Sequence, residues 1–369
     1  MDNGEHSLMS VLHMTFGRGW MWNCVCLAIG CRSCGGFRQA LETFLTTVVE
    51  ASYILDEEAF VLFAFILSLA ASKPDEVRNA VCWAIEVGYR LIDTAHIYGN
   101  EEAIGEALAQ SFKAGKIKRD DIFITTKLWC THNRPEVMEE QMKESLEKLG
   151  LNYVDLYLIH TPTTFDREMK NFDETVTVEN IWKGMEVLYN KGFTRAIGVS
   201  NFNLEQVKRI QKIAKIPIHN VQNECHIYLP QNEIIEYCKA NNITFTSYAS
   251  LGSRGRTSAQ LPNHKLNWAL TPDPMEEGCV KKLAAKYNKT SAQILLRHLL
   301  QRGIAIIPKS VNRDRIRENF DIFDFRLTDD EMKEMGAIKT RARLFYQEFM
   351  FGHPEYPFTG EVNPASDVS

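Results

Sequence analysis

From about Ser72 onward, apolar positions recur alternately at helical spacing and in short β-branched runs. Pro74 opens the first helical stretch, in which Val77, Val81, Ala84, Ile85 and Val87 share one face. Proline suits a first helical turn, because the N–H it lacks would have no intrahelical partner there. Gly88 ends that helix and residues 90–93 read as a strand. Helices are then predicted from about 101 and over 135–149, 179–190, 204–214, 232–240, 274–287, 291–302 and 313–320. Between them lie strands at 122–127, 154–160, 195–199, 219–222, 244–248 and 304–307. Such alternation predicts parallel βαβ units. Seven strands follow Ser72, and the apolar run within 59–69 offers an eighth, so the expected architecture is α/β, a (β/α)8 barrel.

Two regions break the rhythm. Residues 250–273, rich in Gly, Ser, Arg and Pro, read as a long loop. Residues 1–58 show no clear period and read as an atypical extension ahead of a barrel domain over 59–369, so the first strand and any hairpin before it are atypical or missing.

Composition narrows the function classes. The 369 residues carry a net charge of −5, which gives no general attraction to nucleic acid or an anionic membrane. Any phosphate must be held by a local cluster of cations. The first six residues are acidic and polar, and the apolar stretch 59–71 is short for a bilayer and follows Asp56, Glu57 and Glu58, so neither reads as a signal or a span. Nine cysteines, five of them scattered from Cys82 onward, suit a reducing compartment, here the cytoplasm. Cys24, Cys26, Cys31 and Cys34 crowd together, but no recognisable finger spacing completes a zinc site, and no metal is expected.

Reactive side chains fall at the ends of successive strands: Asp93, then Lys127, then His160, with Tyr98 on the loop after Asp93. In an α/β barrel those ends share one face, where active sites are built. Converging there, the four make a tuned acid. Lys127 as an ammonium is expected to lower the phenol pKa of Tyr98, Asp93 to hold Lys127, and His160 to orient a carbonyl oxygen. Taken singly, each has a plainer reading: a helix cap, a solvated lysine, a satisfied core histidine.

Residues 93–101 (DTAHIYGNE), 158–162 (LIHTP) and 307–310 (IPKS) resemble the signature segments of the aldo-keto reductase family, chiefly its aldose and aldehyde reductase branch, over residues 72–358. The resemblance implies a (β/α)8 barrel that reduces aldehydes and ketones with NADPH, commonly as a monomer acting on a small carbonyl substrate. It implies that Asp93, Tyr98, Lys127 and His160 are the catalytic tetrad, with Tyr98 the general acid. It further implies that Ser200, Asn201 and Gln222 bind the nicotinamide amide, that Tyr248 stacks on its ring, and that Leu251 and Ser253 touch the pyrophosphate. Lys309, Ser310, Arg315 and Asn319 match the pocket for the adenosine 2′-phosphate. Two cations there supply the local cluster that the net charge demands, and favour NADPH over NADH. Trp129 and His160 match substrate-pocket positions, and the tail 349–358 resembles the segment that closes that pocket.

The sequence departs from the family at two places. The Gly-Thr-Trp that normally ends the first strand is replaced by residues around Ser68, Leu69 and Ala70, and Thr161 stands where many relatives carry tryptophan. The second change implies a wider or more polar pocket. The first keeps a second function in view: an NADPH-binding, catalytically impaired protein of regulatory role.

Overall fold

The computed structural model describes residues 64–66, 73–258 and 271–361. The chain divides between Thr46 and Thr47, and everything described belongs to the second unit. The expected boundary at residue 58, the cysteine cluster 24–34 and the segment 68–70 lie outside the described residues.

Eight parallel strands form one sheet in sequential order: β1 (Ala64–Ile66), β2 (Leu91–Asp93), β3 (Phe123–Leu128), β4 (Val154–Ile159), β5 (Thr194–Ser200), β6 (Asn220–Glu224), β7 (Thr244–Tyr248) and β8 (Ala305–Ile306). The eighth strand is the one sought in the 59–69 run: Ala64 pairs with Leu91 and Ile66 with Asp93. Helices α1 (Pro74–Val87), α2 (Glu101–Lys113), α3 (Met138–Leu149), α4 (Val178–Asn190), α5 (Leu204–Ile213) and α6 (Asn232–Ala240) each follow a strand. After β7 come α7 (Gly278–Tyr287) and α8 (Ser291–Gln301), and after β8 come α9 (Arg313–Phe320) and α10 (Asp329–Gly336). This is the (β/α)8 architecture expected.

Sequence explains most of these elements locally. α1 has Pro74 in its first turn and ends at Gly88, whose φ of 120° excludes most side chains. Val77, Val81, Ala84 and Ile85 are buried as predicted, whereas Val87 is only half-buried. β3 and β4 are buried at every position, as a strand walled on both faces must be. Gly198 on β5 is required by packing, since a Cβ there would lie 2.3 Å from the Asn220 carbonyl oxygen. Several boundaries differ from expectation, among them the start of α7, which a separate turn Pro274–Glu276 precedes. Residues 135–137 form a turn before α3, and α10 went unpredicted although Thr328 and Glu331 form a capping box at its start.

Candidate active site

The four reactive groups meet at the C-terminal ends of β2, β3 and β4. Asp93 ends β2, Lys127 lies near the end of β3 and His160 follows β4; their exposures are 1%, 0% and 8%. The Lys127 ammonium donates to Asp93 Oδ1 and, at 2.8 Å, to the Thr94 carbonyl. The other Asp93 oxygen accepts a 2.7 Å bond from Gln222 Nε2, reaching across from β6. Tyr98 rides a single helical turn, His96–Tyr98, closed by its own N–H on Ala95 O at 2.9 Å and ended by Gly99 at φ 63°. Glycine takes that left-handed position without the Cβ clash that other side chains meet. Thr94 Oγ1 donates to Asn100 Oδ1 at 2.6 Å and staples the loop around Tyr98.

The Tyr98 ring lies edge-on to His160 at 5.6 Å, with the Lys127 ammonium 5.0 Å from its centroid. The phenol pKa does not fall as expected. Burial pushes it up and the nearby Asp93 carboxylate adds to the rise. The expectation went wrong because desolvation of the ring dominates, with the Lys127 ammonium bonded to Asp93 and the Thr94 carbonyl. Burial also pushes the Asp93 carboxyl up and the Lys127 ammonium down, and each is partly restored by the other's charge. His160 is held far below the ordinary imidazole range by burial and then by Lys127, so it is neutral. Its Nδ1 is buried and has no partner among the described residues.

The positions expected to hold the cofactor's nicotinamide gather beside this group. Ser200 at the end of β5 pairs in register with Gln222. Asn201, at φ 61°, donates from its amide to the His160 carbonyl at 2.8 Å, and its Oδ1 accepts a 2.6 Å bond from the Tyr248 hydroxyl. Tyr248 is half-exposed at the end of β7. Leu251 and Ser253 flank Gly252 on the turn beyond it and are half-buried.

On the far side, Lys309 follows β8 and Arg315 lies in the first turn of α9. Both are exposed and neither makes an ion pair among the described residues. Ser310 and Asn319 are buried beside them. Asn312 caps α9 by accepting from the Arg315 N–H at 3.0 Å. Two unpaired cations at a helix N-terminus suit a phosphate dianion. The donor set therefore fits NADPH: a strand-end aromatic, amide and hydroxyl groups beside it, and cations reserved at the opposite end.

The apolar surroundings of His160 were less legible. Trp129 leaves β3, lies edge-on to His160 at 5.2 Å and donates from its indole to Met169 Sδ at 3.3 Å. Phe165, Met169, Phe349 and Met350 are buried around it, with Ile97 against them. Phe349 and Met350 belong to the C-terminal tail, so the tail packs on Trp129. Thr161 is fully buried, with its side chain against the Cys130 thiol.

The model for the Aldo/keto reductase family matches residues 66–340, well over half of the 369. The chain belongs to the aldo/keto reductase family.

This aldo/keto reductase is 37% identical to prostaglandin F synthase 2 of Bos taurus over 315 residues, covering 81% of the chain and 95% of that relative. It is 40% identical to aldo-keto reductase family 1 member A1 of Xenopus tropicalis over 308 residues, covering 78% and 91%. Among solved structures, it is similar to aldose reductase from Schistosoma japonicum, at a TM-score of 0.72 and 38% identity over 82% of this chain and 96% of that one. An aldo-keto reductase of Bombyx mori in complex with NADP matches with a TM-score of 0.72 and 35% identity over 80% and 94%. The protein is thus an NADP-dependent oxidoreductase acting on carbonyl groups, and NADPH is its cofactor. Among the described residues, no helix is long and apolar enough to cross a membrane.

Proposed function

We propose that this reductase converts aldehydes and ketones to alcohols with Tyr98 as the proton donor, in a pocket that prefers aromatic or other apolar substrates. The observation that carries this reading is the buried chain Gln222–Asp93–Lys127 lying beneath the Tyr98–His160 pair. Bound NADPH supplies a hydride.

Ser200, Asn201, Gln222 and Tyr248 would hold the nicotinamide end, and Lys309, Ser310, Arg315 and Asn319 the 2′-phosphate, with Leu251 and Ser253 near the pyrophosphate. Tyr98 keeps its proton because its half-buried phenol is partly desolvated and lies near the Asp93 carboxylate. A protonated phenol can hydrogen-bond a carbonyl oxygen and yield the proton as negative charge develops there. Lys127, fixed beneath the ring by Asp93 and the Thr94 carbonyl, then stabilises the tyrosinate left behind. His160, neutral and wedged between Tyr98 and Trp129, orients the same oxygen. Trp129, Phe165 and Phe349 exclude water and favour a flat apolar substrate. We read the enzyme as a cytoplasmic monomer. The five described cysteines, Cys82, Cys130, Cys225, Cys238 and Cys279, are all free, which supports a reducing compartment.

The purified protein should oxidise NADPH in the presence of an aromatic aldehyde. Tyr98→Phe should lose that turnover while still binding NADPH, followed by quenching of protein fluorescence. Undiminished turnover in the Phe variant removes Tyr98 from the mechanism. A wild type that binds NADPH but reduces no aldehyde supports the impaired, regulatory alternative instead.

A further inference from the structure

We propose that Arg209 is a specificity-determining residue that acts through Glu355, by clamping the C-terminal tail against α5 so that Phe349 and Met350 stay seated on Trp129; the proposal rests on the carbonyl reductase reading above.

The clamp is built from side chains that face one another at well-formed distances. Arg209, on α5, donates to both Glu355 oxygens, from Nη1 at 2.9 Å and from Nη2 at 2.8 Å. From Nε and Nη2 it also donates to both oxygens of Glu179 on α4, each at 2.8 Å. A guanidinium flanked by two carboxylates in paired-bond geometry is directional in a way that a solvated surface pair is not. Gln206, one turn earlier on α5, adds bonds from Nε2 to the Glu355 carbonyl at 2.9 Å and to its carboxylate at 3.1 Å. Asn203, the cap of α5, accepts from the Gln206 N–H at 2.9 Å and donates from Nδ2 to the Pro357 carbonyl at 3.0 Å.

The tail between clamp and pocket is tied by turns that carry position along it. The Glu355 N–H donates to His353 Nδ1 at 3.0 Å, and the His353 N–H donates to the Met350 carbonyl at 3.1 Å. His353 Nε2 accepts from the Thr164 N–H at 3.4 Å, pinning the same turn to the loop after His160. At the pocket end, Phe349 packs on Trp129 and on Phe165, each at a ring separation of 5.9 Å. A shift of the Glu355 turn therefore moves one aromatic wall of the pocket and leaves Tyr98, Lys127 and His160 in place. α5 itself starts at Leu204, three residues after Asn201, so the wall is referenced to the loop expected to hold the nicotinamide.

Two substitutions test this, Arg209→Gln and Glu355→Gln, each assayed with a two-ring aromatic aldehyde and with propanal. KM for the two-ring aldehyde should rise about tenfold, with kcat and the propanal KM within about twofold of wild type, since binding to a displaced wall is lost while the chemistry is not. Arg209→Lys should recover part of the loss, and the Arg209→Gln, Glu355→Gln double variant should be no worse than either single one. The two-ring alcohol product, titrated by calorimetry into NADP⁺-loaded protein, should bind more weakly by the same factor, a reading that does not require turnover. An unchanged product Kd and unchanged KM overturn the clamp, as does a loss of kcat shared equally by both aldehydes. Failure of the reductase reading is distinct: wild type then turns over neither aldehyde, and the product titration alone decides on Arg209.

Discussion

Two lysines at the mouth of this barrel are treated in opposite ways. Lys127 is fully buried, bonded to a carboxylate and a carbonyl, and packed beneath a tyrosine ring. Lys309 is exposed, leaves the last strand for a loop and has no ion pair among the described residues. The contrast extends to their surroundings. On the β2–β4 side burial pushes the titratable groups toward their neutral forms; Asp93 and Lys127 partly oppose this in each other, whereas Asp93 adds to the rise at Tyr98. The β8–α9 side leaves Lys309 and Arg315 accessible to a ligand, although partial burial lowers the Lys309 pKa. Proton transfer requires a few groups held still in a low-dielectric setting, so their desolvation cost is met by neighbours already present in the fold. Capture of a phosphate requires cations without a committed partner, and burying those would cost more than the ligand returns.

The largest test of the contrast is Lys127→Met. Removing the ammonium beneath Tyr98 should lower kcat by about 10³-fold, within the range for loss of a positioned acid–base group. Because it leaves the Asp93 carboxyl buried without its cation, the variant should also melt earlier. The Asp93→Asn, Lys127→Met double variant should regain stability and not turnover, read by thermal denaturation and stopped-flow rates; recovery of turnover would show that Lys127 serves only the fold.

On the other side, Lys309→Met and Arg315→Met should each weaken NADPH binding by about 10- to 100-fold and NADH binding little, since charge-assisted bonds to a 2′-phosphate are all that differ. NADPH affinity in the wild type should also fall with salt, because these cations are exposed. Equal losses for both cofactors would place the two residues elsewhere in the binding site.

The third test is acid stability. His160 is held well below its ordinary pKa, so below about pH 6.5 the unfolded chain takes up a proton that the folded chain refuses. Stability should therefore fall as pH drops through that region, by up to about 1.4 kcal/mol per pH unit for such a histidine. His160→Gln should lessen that slope in urea titrations run between pH 7 and 5, with other shifted histidines such as His132 and His298 supplying the remainder. An unaltered slope would mean that His160 ionises freely in the folded protein.

The smallest effect is expected at the open end. Asn312→Ala removes the α9 cap and should cost about 1 kcal/mol of stability. NADPH affinity should follow by a few-fold, because Arg315 sits in the turn that the cap organises.

Much of this molecule was legible beforehand, and for identifiable reasons. Helical faces such as Val77, Val81, Ala84 and Ile85, and continuously buried strands such as β4, come from local periodicity that burial enforces. The helix expected over 313–320 matches α9 at both ends. α10 was missed because its charged residues give no apolar stripe, although its capping box was there to be read. The lowered phenol pKa expected for Tyr98 was wrong in sign, because sequence shows which charges are near and not how far the fold removes the ring from water.

Sequence alone determined the alternation of strand and helix, the order of Asp93, Tyr98, Lys127 and His160 along it, and the late pair of cations. These depend on residue type and short spacing, which the chain carries locally. Only the tertiary structure brought Gln222 to Asp93 from 129 positions away and seated Phe349 on Trp129. It also tied Glu355 to Arg209 across 146 positions. Those contacts arise when separate elements close around one core, and the side chains that meet there carry no mark of it in their own neighbourhoods.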